Sequence, residues 1–215
     1  MSLQAPGPMT VWRCTMSVAT PNTTQQLILA SASSRRAQLL REAGYSFKIV
    51  EPPIPEPQTP RPGVTPAQEA EALSYFKARA VAAVVRRGLI VAADTVVAHG
   101  CEVFGKPADE ADARRILTRL MGTAHQVITG ITLLDSADER RAISHEVTHV
   151  TMRRLSPDEL EQYLATGAWQ GKAGAYGIQD RDDPFVESIQ GSFSNVVGMP
   201  MELLERMLRD WPPTA

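Results

Sequence analysis

Apolar positions along the chain change rhythm several times, and the changes mark its elements. Residues 1–26 show neither a helical nor a strand period and read as a flexible leader. Order begins at Leu27-Ile28-Leu29-Ala30, a short unbroken apolar run that predicts a buried strand. Ser31-Ala32-Ser33-Ser34-Arg35-Arg36 follows, then a helix to Ala43 with Gly44 as its stop. Residues 47–50 predict a second strand. Seven prolines fall within the 16 residues 51–66, which excludes regular helix or a central strand there. Pro66 suits the first turn of a long helix reaching about Arg87, with Gln68, Glu69 and Glu71 near its positive end.

The run LIVAADTVVAH, residues 89–99, predicts a central strand interrupted only by Asp94 and Thr95. Asp109 caps a helix to Met121, with Gly122 as its stop. β-Branched content marks strands at residues 127–134 and 143–152. Ser156-Pro157-Asp158-Glu159 is a capping box that opens a helix to about Thr166, and Pro200 opens the last helix. Strands alternating with helices, without an internal repeat, indicate an α/β fold.

Composition narrows the function classes. The chain has 215 residues, 22 Lys plus Arg against 24 Asp plus Glu, and a net charge of -2. That balance argues against a binder of long nucleic acids. No apolar run approaches the roughly 20 residues that span a bilayer, so no membrane partner is expected. Two cysteines, Cys14 and Cys101, cannot make a disulfide scaffold or a four-thiolate zinc site, and they suit a reducing cytoplasm. Charge is unevenly placed: residues 1–41 hold four arginines and no acid. Lysine is scarce, with four (Lys48, Lys77, Lys106, Lys172) against 18 arginines. Each lysine therefore merits individual reading.

Several strings could carry chemistry. His145-Glu146-Val147-Thr148-His149 fits the zinc-protease pattern H-E-x-x-H, which needs a helix to bring both imidazoles to one face. Its β-branched surroundings predict a strand, where the histidines lie roughly 13 Å apart and cannot share one metal. Asp94 is costly to bury unless paired or hydrogen-bonded. Two readings stand for it: a functional carboxylate at a cleft, or a strand-end cap. Residues 31–36 join a strand to a helix, where free N–H groups, serine hydroxyls and arginines attract anions. An ordinary helix start is the plainer alternative. Lys77 shares a helix face with Leu73, Ala80 and Val84, as a functional or a snorkelling cation. Lys106 sits in a rigid Gly-Lys-Pro turn. Gly171, Gly174 and Gly177 are spaced by three, suited to a ligand or to close packing of elements.

Together these strings resemble the Maf family of nucleotide pyrophosphatases. The resemblance is carried by LASASSRRAQLL (29–40), AADTVV (92–97), FGKP (104–107), GKAGAYGIQ (171–179) and SNVVGMP (194–200), in order along the chain. It implies an α/β, two-lobed mixed-sheet fold like that of inosine triphosphate pyrophosphatases, here a single domain over residues 27–210 with a tail at 211–215. It implies a cytoplasmic, often homodimeric enzyme that cleaves a nucleoside triphosphate to monophosphate and pyrophosphate with a divalent cation, Mg²⁺ or Mn²⁺. Matched motif by motif, Asp94 takes the place of the proton acceptor. Ser31, Ser33, Arg36, Lys77 and Lys106 fall on phosphate-side positions, and Glu56 on an acidic, metal-side position.

Arg35, Thr95 and Gln179 match the members that act on dTTP and UTP. Members resembling the 7-methyl-GTP pyrophosphatase differ at the first two, and that activity is the alternative. A nucleotide-binding regulator of septum formation is a second class of reading. Asp180-Arg181-Asp182-Asp183-Pro184 after Gln179, and Ala168 after Gly167, depart from the family pattern on the base side of the site.

Overall fold

The computed structural model describes residues 25–55, 63–178 and 185–212. Their strands are β1 (Leu27–Leu29), β2 (Phe47–Ile49), β3 (Leu89–His99), β4 (Glu102–Phe104), β5 (Ala124–Asp135), β6 (Arg141–Met152) and β7 (Val186–Gln190). The helices are α1 (Ser34–Glu42), α2 (Pro66–Ala82), α3 (Glu110–Leu120), α4 (Pro157–Ala165), α5 (Phe193–Val197) and α6 (Met201–Arg209). One seven-stranded mixed sheet runs β2-β1-β3-β5-β6-β7, with β4 paired to β3 off that path. β2, β1 and β3 are parallel, and the remaining pairings are antiparallel.

β3 is the axis of the molecule. Along one edge it pairs with β5 from Leu89 to Ala98. Its other edge is shared: β1 takes Leu89–Val91 and β4 takes Val97–His99. Between them, residues 92–96 of β3 have no strand partner among the described residues. The apolar core divides at the same level. Val91, Ala93, Ile131 and Leu133 pack with α1, α6 and Trp211 in one cluster. Val97 and Val127 pack with α3, α4 and Phe185 in another. The opening in the sheet thus lies between two lobes that share β3 and β5.

Local signals account for most boundaries. Ser33, Thr65, Asp109 and Ser156 each accept a backbone N–H at the start of α1, α2, α3 and α4, and Thr65 and Ser156 form reciprocal capping boxes with Gln68 and Glu159. Gly44, at φ +79, turns the chain out of α1. α2 stops at Ala82 rather than near Arg87, because the chain must turn at Gly88 (φ +152) to start β3 at once.

The H-E-x-x-H string lies within β6, as its β-branched neighbours predict. His145 Nδ1 lies 2.7 Å from Glu71 Oε1 of α2, and His149 faces Gln126. Trp211, assigned to a tail by the sequence, is instead 3% exposed within the first core cluster. Gln25, assigned to the leader, donates to Asp135 at 2.8 Å. Residues 1–24 of the leader expectation lie outside the described residues, as do residues 56–62 of the proline-rich stretch.

Candidate active site

The opening beside β3 forms the floor of a cavity of about 670 Å³. Ser31, Ser33, Arg35, Arg36, Lys77, Asp94, Thr95 and Lys106, eight residues singled out from the sequence, all line it. They come from four separate stretches of chain.

Asp94 and Lys77 meet across 2.5 Å, with side chains 8% and 5% exposed. Their approach depends on a glycine. Gly130 pairs with Asp94 across β3 and β5, and a Cβ there would lie 2.4 Å from the Ala70 carbonyl of α2. The missing side chain lets α2 lie close to the sheet, where Ser74 and Thr132 also bond at 2.7 Å. Small and apolar residues of the same helix, Ala70, Ala78 and Val81, complete the contact. Asp94 engages Lys77 through Oδ1, and among the described residues its Oδ2 has no hydrogen-bond partner.

The turn from β1 into α1 supplies the polar rim. Ser31 Oγ accepts from the Ser33 N–H, and Ser33 Oγ from the Arg36 N–H. α1 carries no acid in its first turn, so its positive end is uncompensated within the helix. Arg36, which lines the cavity, is also tied to the protein. Its Nε donates to the Gly198 carbonyl at 2.7 Å, Nη1 to Ser31 and Nη2 to Thr95. Three of its five donors therefore tie α1 to β3 and to the end of α5. Thr95 also bonds Thr129, so it is braced from both sides.

The SNVVGMP string serves this brace. Asn195 Nδ2 bonds the Val127 and Glu146 carbonyls and Thr148 Oγ1, which pins α5 across β5 and β6. Ser194 and Ser192 donate to Glu202 at the start of α6, which fixes the turn that offers Gly198 to Arg36.

The facing wall is made of turns. Gly171 accepts from Arg35 Nη2 at 3.2 Å, closing one side of the cleft. The Gly174 N–H donates to the Gly105 carbonyl next to Lys106, linking this wall to the Gly-Lys-Pro turn. Lys172 and Tyr176 line the cavity here. Gly177 leaves room for Lys172, whose Nζ would lie 2.7 Å from a Cβ at that position.

A family model described as Maf-like protein matches residues 26–211. The chain belongs to the Maf-like family. Curated relatives of the family named dTTP/UTP pyrophosphatase include one from Pelotomaculum thermopropionicum, 41% identical over 86% of this chain and 96% of that protein. Another, from Ruminiclostridium cellulolyticum, is 43% identical over 86% and 95%, and one from Salinibacter ruber is 45% identical over 85% and 89%. A looser likeness, at TM-score 0.42 and 15% identity over 86% of this chain and 95% of the other, is to a nucleoside-triphosphatase / dITP/XTP pyrophosphatase of Mycobacterium abscessus.

Two residues matched to Maf-like positions, Glu56 and Gln179, lie outside the described residues. The sequence reading did not single out Glu51, Lys172, Tyr176 or His125 as site residues. Lysine scarcity was a usable signal for Lys172, since three of the four lysines line the cleft. Glu51 was hidden in the proline-rich stretch. His125 gave no local signal, because its partner Tyr176 is 51 residues away.

A divalent cation would meet a suitable donor type here. Among the described residues, two carboxylates, Asp94 and Glu51, line the cavity, and no imidazole or thiol does. Mg²⁺ is commonly held by one or two carboxylates together with substrate phosphates. Among the described residues no group of three His, Cys, Asp or Glu could hold a metal alone.

Proposed function

We propose that this chain hydrolyses dTTP and UTP to the nucleoside monophosphate and pyrophosphate in the cleft beside β3. The observation that carries the reading is the buried Asp94–Lys77 pair set in the gap of the sheet, facing the start of α1 and Lys106 across one cavity. The cavity volume suits a ligand of nucleotide size. The names of the Maf-like relatives support the same substrates.

The physical demand of the reaction is charge. A triphosphate carries about four negative charges, and its cleavage is mainly a matter of positioning and neutralisation. Lys77, Lys106 and Lys172 bring cations to the cleft, while the α1 start and its serines offer hydrogen-bond donors. Lys77 fixes the Asp94 carboxylate through Oδ1. Oδ2 then accepts the proton of the water that attacks the α-phosphorus, and pyrophosphate leaves toward the lysines. A divalent cation held by Asp94, Glu51 and the phosphates would supply further neutralisation. Arg36 acts as a brace that holds Ser31 and Thr95 in place.

The test is product identity. A panel of dTTP, UTP, 7-methyl-GTP and the remaining triphosphates is incubated with Mg²⁺ and with Mn²⁺. Monophosphate and pyrophosphate from dTTP and UTP are expected, with loss of turnover in chelator. Release of orthophosphate, or no product at all, overturns the reading. Faster turnover of 7-methyl-GTP overturns the substrate assignment alone. The cytoplasmic, homodimeric state that goes with this reading is checked by fractionation and by sedimentation of the full chain.

A further inference from the structure

A buried polar pair under the cleft has no part in the chemistry above. His125 of β5 is 2% exposed, and its Nε2 lies 2.7 Å from the Tyr176 hydroxyl. The two rings also pack edge to face, with centroids 5.4 Å apart and an interplanar angle of 81°. Tyr176 is clamped from another side by Gly174, at φ +74, where a Cβ would come within 3.1 Å of the Tyr176 ring and 2.9 Å of Val97. The tyrosine is therefore held through both its hydroxyl and its ring.

Its position matters because Tyr176 lines the cavity together with Val97, Val127 and Ile178. These four belong to one apolar cluster, distinct from those that flank Asp94 and Lys77 on α2. A cavity with a cationic part and an apolar part matches a molecule with a charged tail and a flat ring. The apolar part is where a base would shed water.

We propose that His125 positions Tyr176 as the fixed floor beneath the nucleobase, and so governs nucleotide affinity without touching the nucleotide itself. The proposal rests on the nucleotide reading above. Burial, with a smaller contribution from His99, pushes the His125 pKa down to about 4, so the imidazole is neutral at ordinary pH. Nδ1 of His125 is buried without a hydrogen-bond partner. Among the described residues the Tyr176 hydroxyl is thus the one hydrogen-bond partner of this imidazole, and a residue kept only for packing would have no need of either nitrogen.

The experiment compares His125→Leu, His125→Gln, Tyr176→Phe and the double variant His125→Leu/Tyr176→Phe in the full chain. Turnover of dTTP, inhibition by inorganic tripolyphosphate and Tm are measured for each. Loss of one hydrogen bond predicts a KM for dTTP raised roughly threefold to tenfold in His125→Leu, with kcat and tripolyphosphate inhibition unchanged. Gln can still reach the hydroxyl, so His125→Gln should restore most of the affinity. Tyr176→Phe should match His125→Leu, and the double variant should be no worse than either single one.

A lower Tm with KM within about twofold of the parent would reduce His125 to packing and overturn the proposal. So would weakening of tripolyphosphate in step with dTTP, which would mean general distortion of the cleft. If His125→Leu does not fold, His125→Gln and Tyr176→Phe carry the same comparison. Absence of nucleotide turnover in the parent chain is a separate outcome, and it overturns the nucleotide reading and this proposal together.

Discussion

One wall of the cleft, built from β1, α1, α2 and β3, is fastened by helix caps, a buried ion pair and an arginine brace, whereas the facing wall, residues 168–178, is a series of turns held by backbone hydrogen bonds and by the side chains of Tyr163 and His125 behind it. In the first, Ser33, Thr65, Arg36 and the Lys77–Asp94 pair each fix a side chain to a regular element. In the second, Gly171 and Gly174 are held through their own backbone atoms by Arg35 and Gly105. The contrast suits a division of labour. Groups that move protons and balance phosphate charge need fixed geometry. A wall that meets the base needs shape, and turns can supply it.

The sharpest way to break the comparison is at Asp94. Asp94→Asn should lower turnover by about 10²–10⁴, the usual worth of a general base. Because Lys77 is as deeply buried as Asp94, the substitution also removes the carboxylate charge that it faces, and Tm should fall together with the rate. Lys77→Met keeps the apolar stem and should lose activity as well. Turnover near the parent level in Asp94→Asn would remove Asp94 as the base and leave the pair a structural device.

Acid provides the next largest effect, and it acts from beneath the second wall. The folded-state pKa of His125 lies near 4, below its ordinary value of 6.5. The unfolded chain therefore binds the extra proton first as pH falls. Stability is complete above about pH 6.5 and declines towards pH 4, by about 3 kcal/mol in full from this group. The check is Tm against pH for the parent and His125→Leu. The parent should lose more stability than the variant between pH 7 and 4.5, and parallel curves would contradict the assignment.

These two sites also show what was legible in the sequence and what was not. The central strand at residues 89–99 could be read to the residue, because it is apolar on both faces and bounded by Gly88 and Gly100. The capping box at Ser156 was equally plain, since its atoms lie within four residues. β4, β7 and α5 were missed. Each has five residues or fewer and depends on pairing or on Asn195, which no local pattern reveals. The identities of Asp94, Lys77 and Lys106 could be singled out by type and resemblance. Their meeting could not, because it depends on Gly130 letting α2 approach. The bracing by Arg36 was hidden for the same reason, since its partners Gly198 and Thr95 lie 162 and 59 residues away.

Gly130 gives the third prediction. A methyl there would meet the Ala70 carbonyl carbon and oxygen at 2.4 Å and the Glu71 nitrogen at 2.6 Å, all backbone atoms of a helix. Nothing at that contact can rotate away, so α2 must lift from the sheet. Gly130→Ala should cost about 1–3 kcal/mol of stability. It should also lower kcat, because the lift separates Lys77 from Asp94. A variant with the parent's Tm and rate would show that α2 is free to slide, and the first wall would no longer be the rigid one.

The same substitution on the other wall should do much less. The three nearest atoms to a Cβ at Gly177 would be Nζ, Cε and Cδ of Lys172, the far end of a flexible side chain. The end of that side chain can shift more readily than helix backbone can. Gly177→Ala should therefore leave Tm nearly unchanged. Lys172 lines the cavity, however, and its displacement should raise KM for dTTP by roughly twofold to threefold at constant kcat. Lys172→Met should reproduce that rise without the steric change, which separates loss of the cation from crowding of the wall. If Gly177→Ala instead destabilises the chain as much as Gly130→Ala, position 177 is as tightly packed as the contact of α2 with the sheet, and the contrast between the two walls does not extend to it.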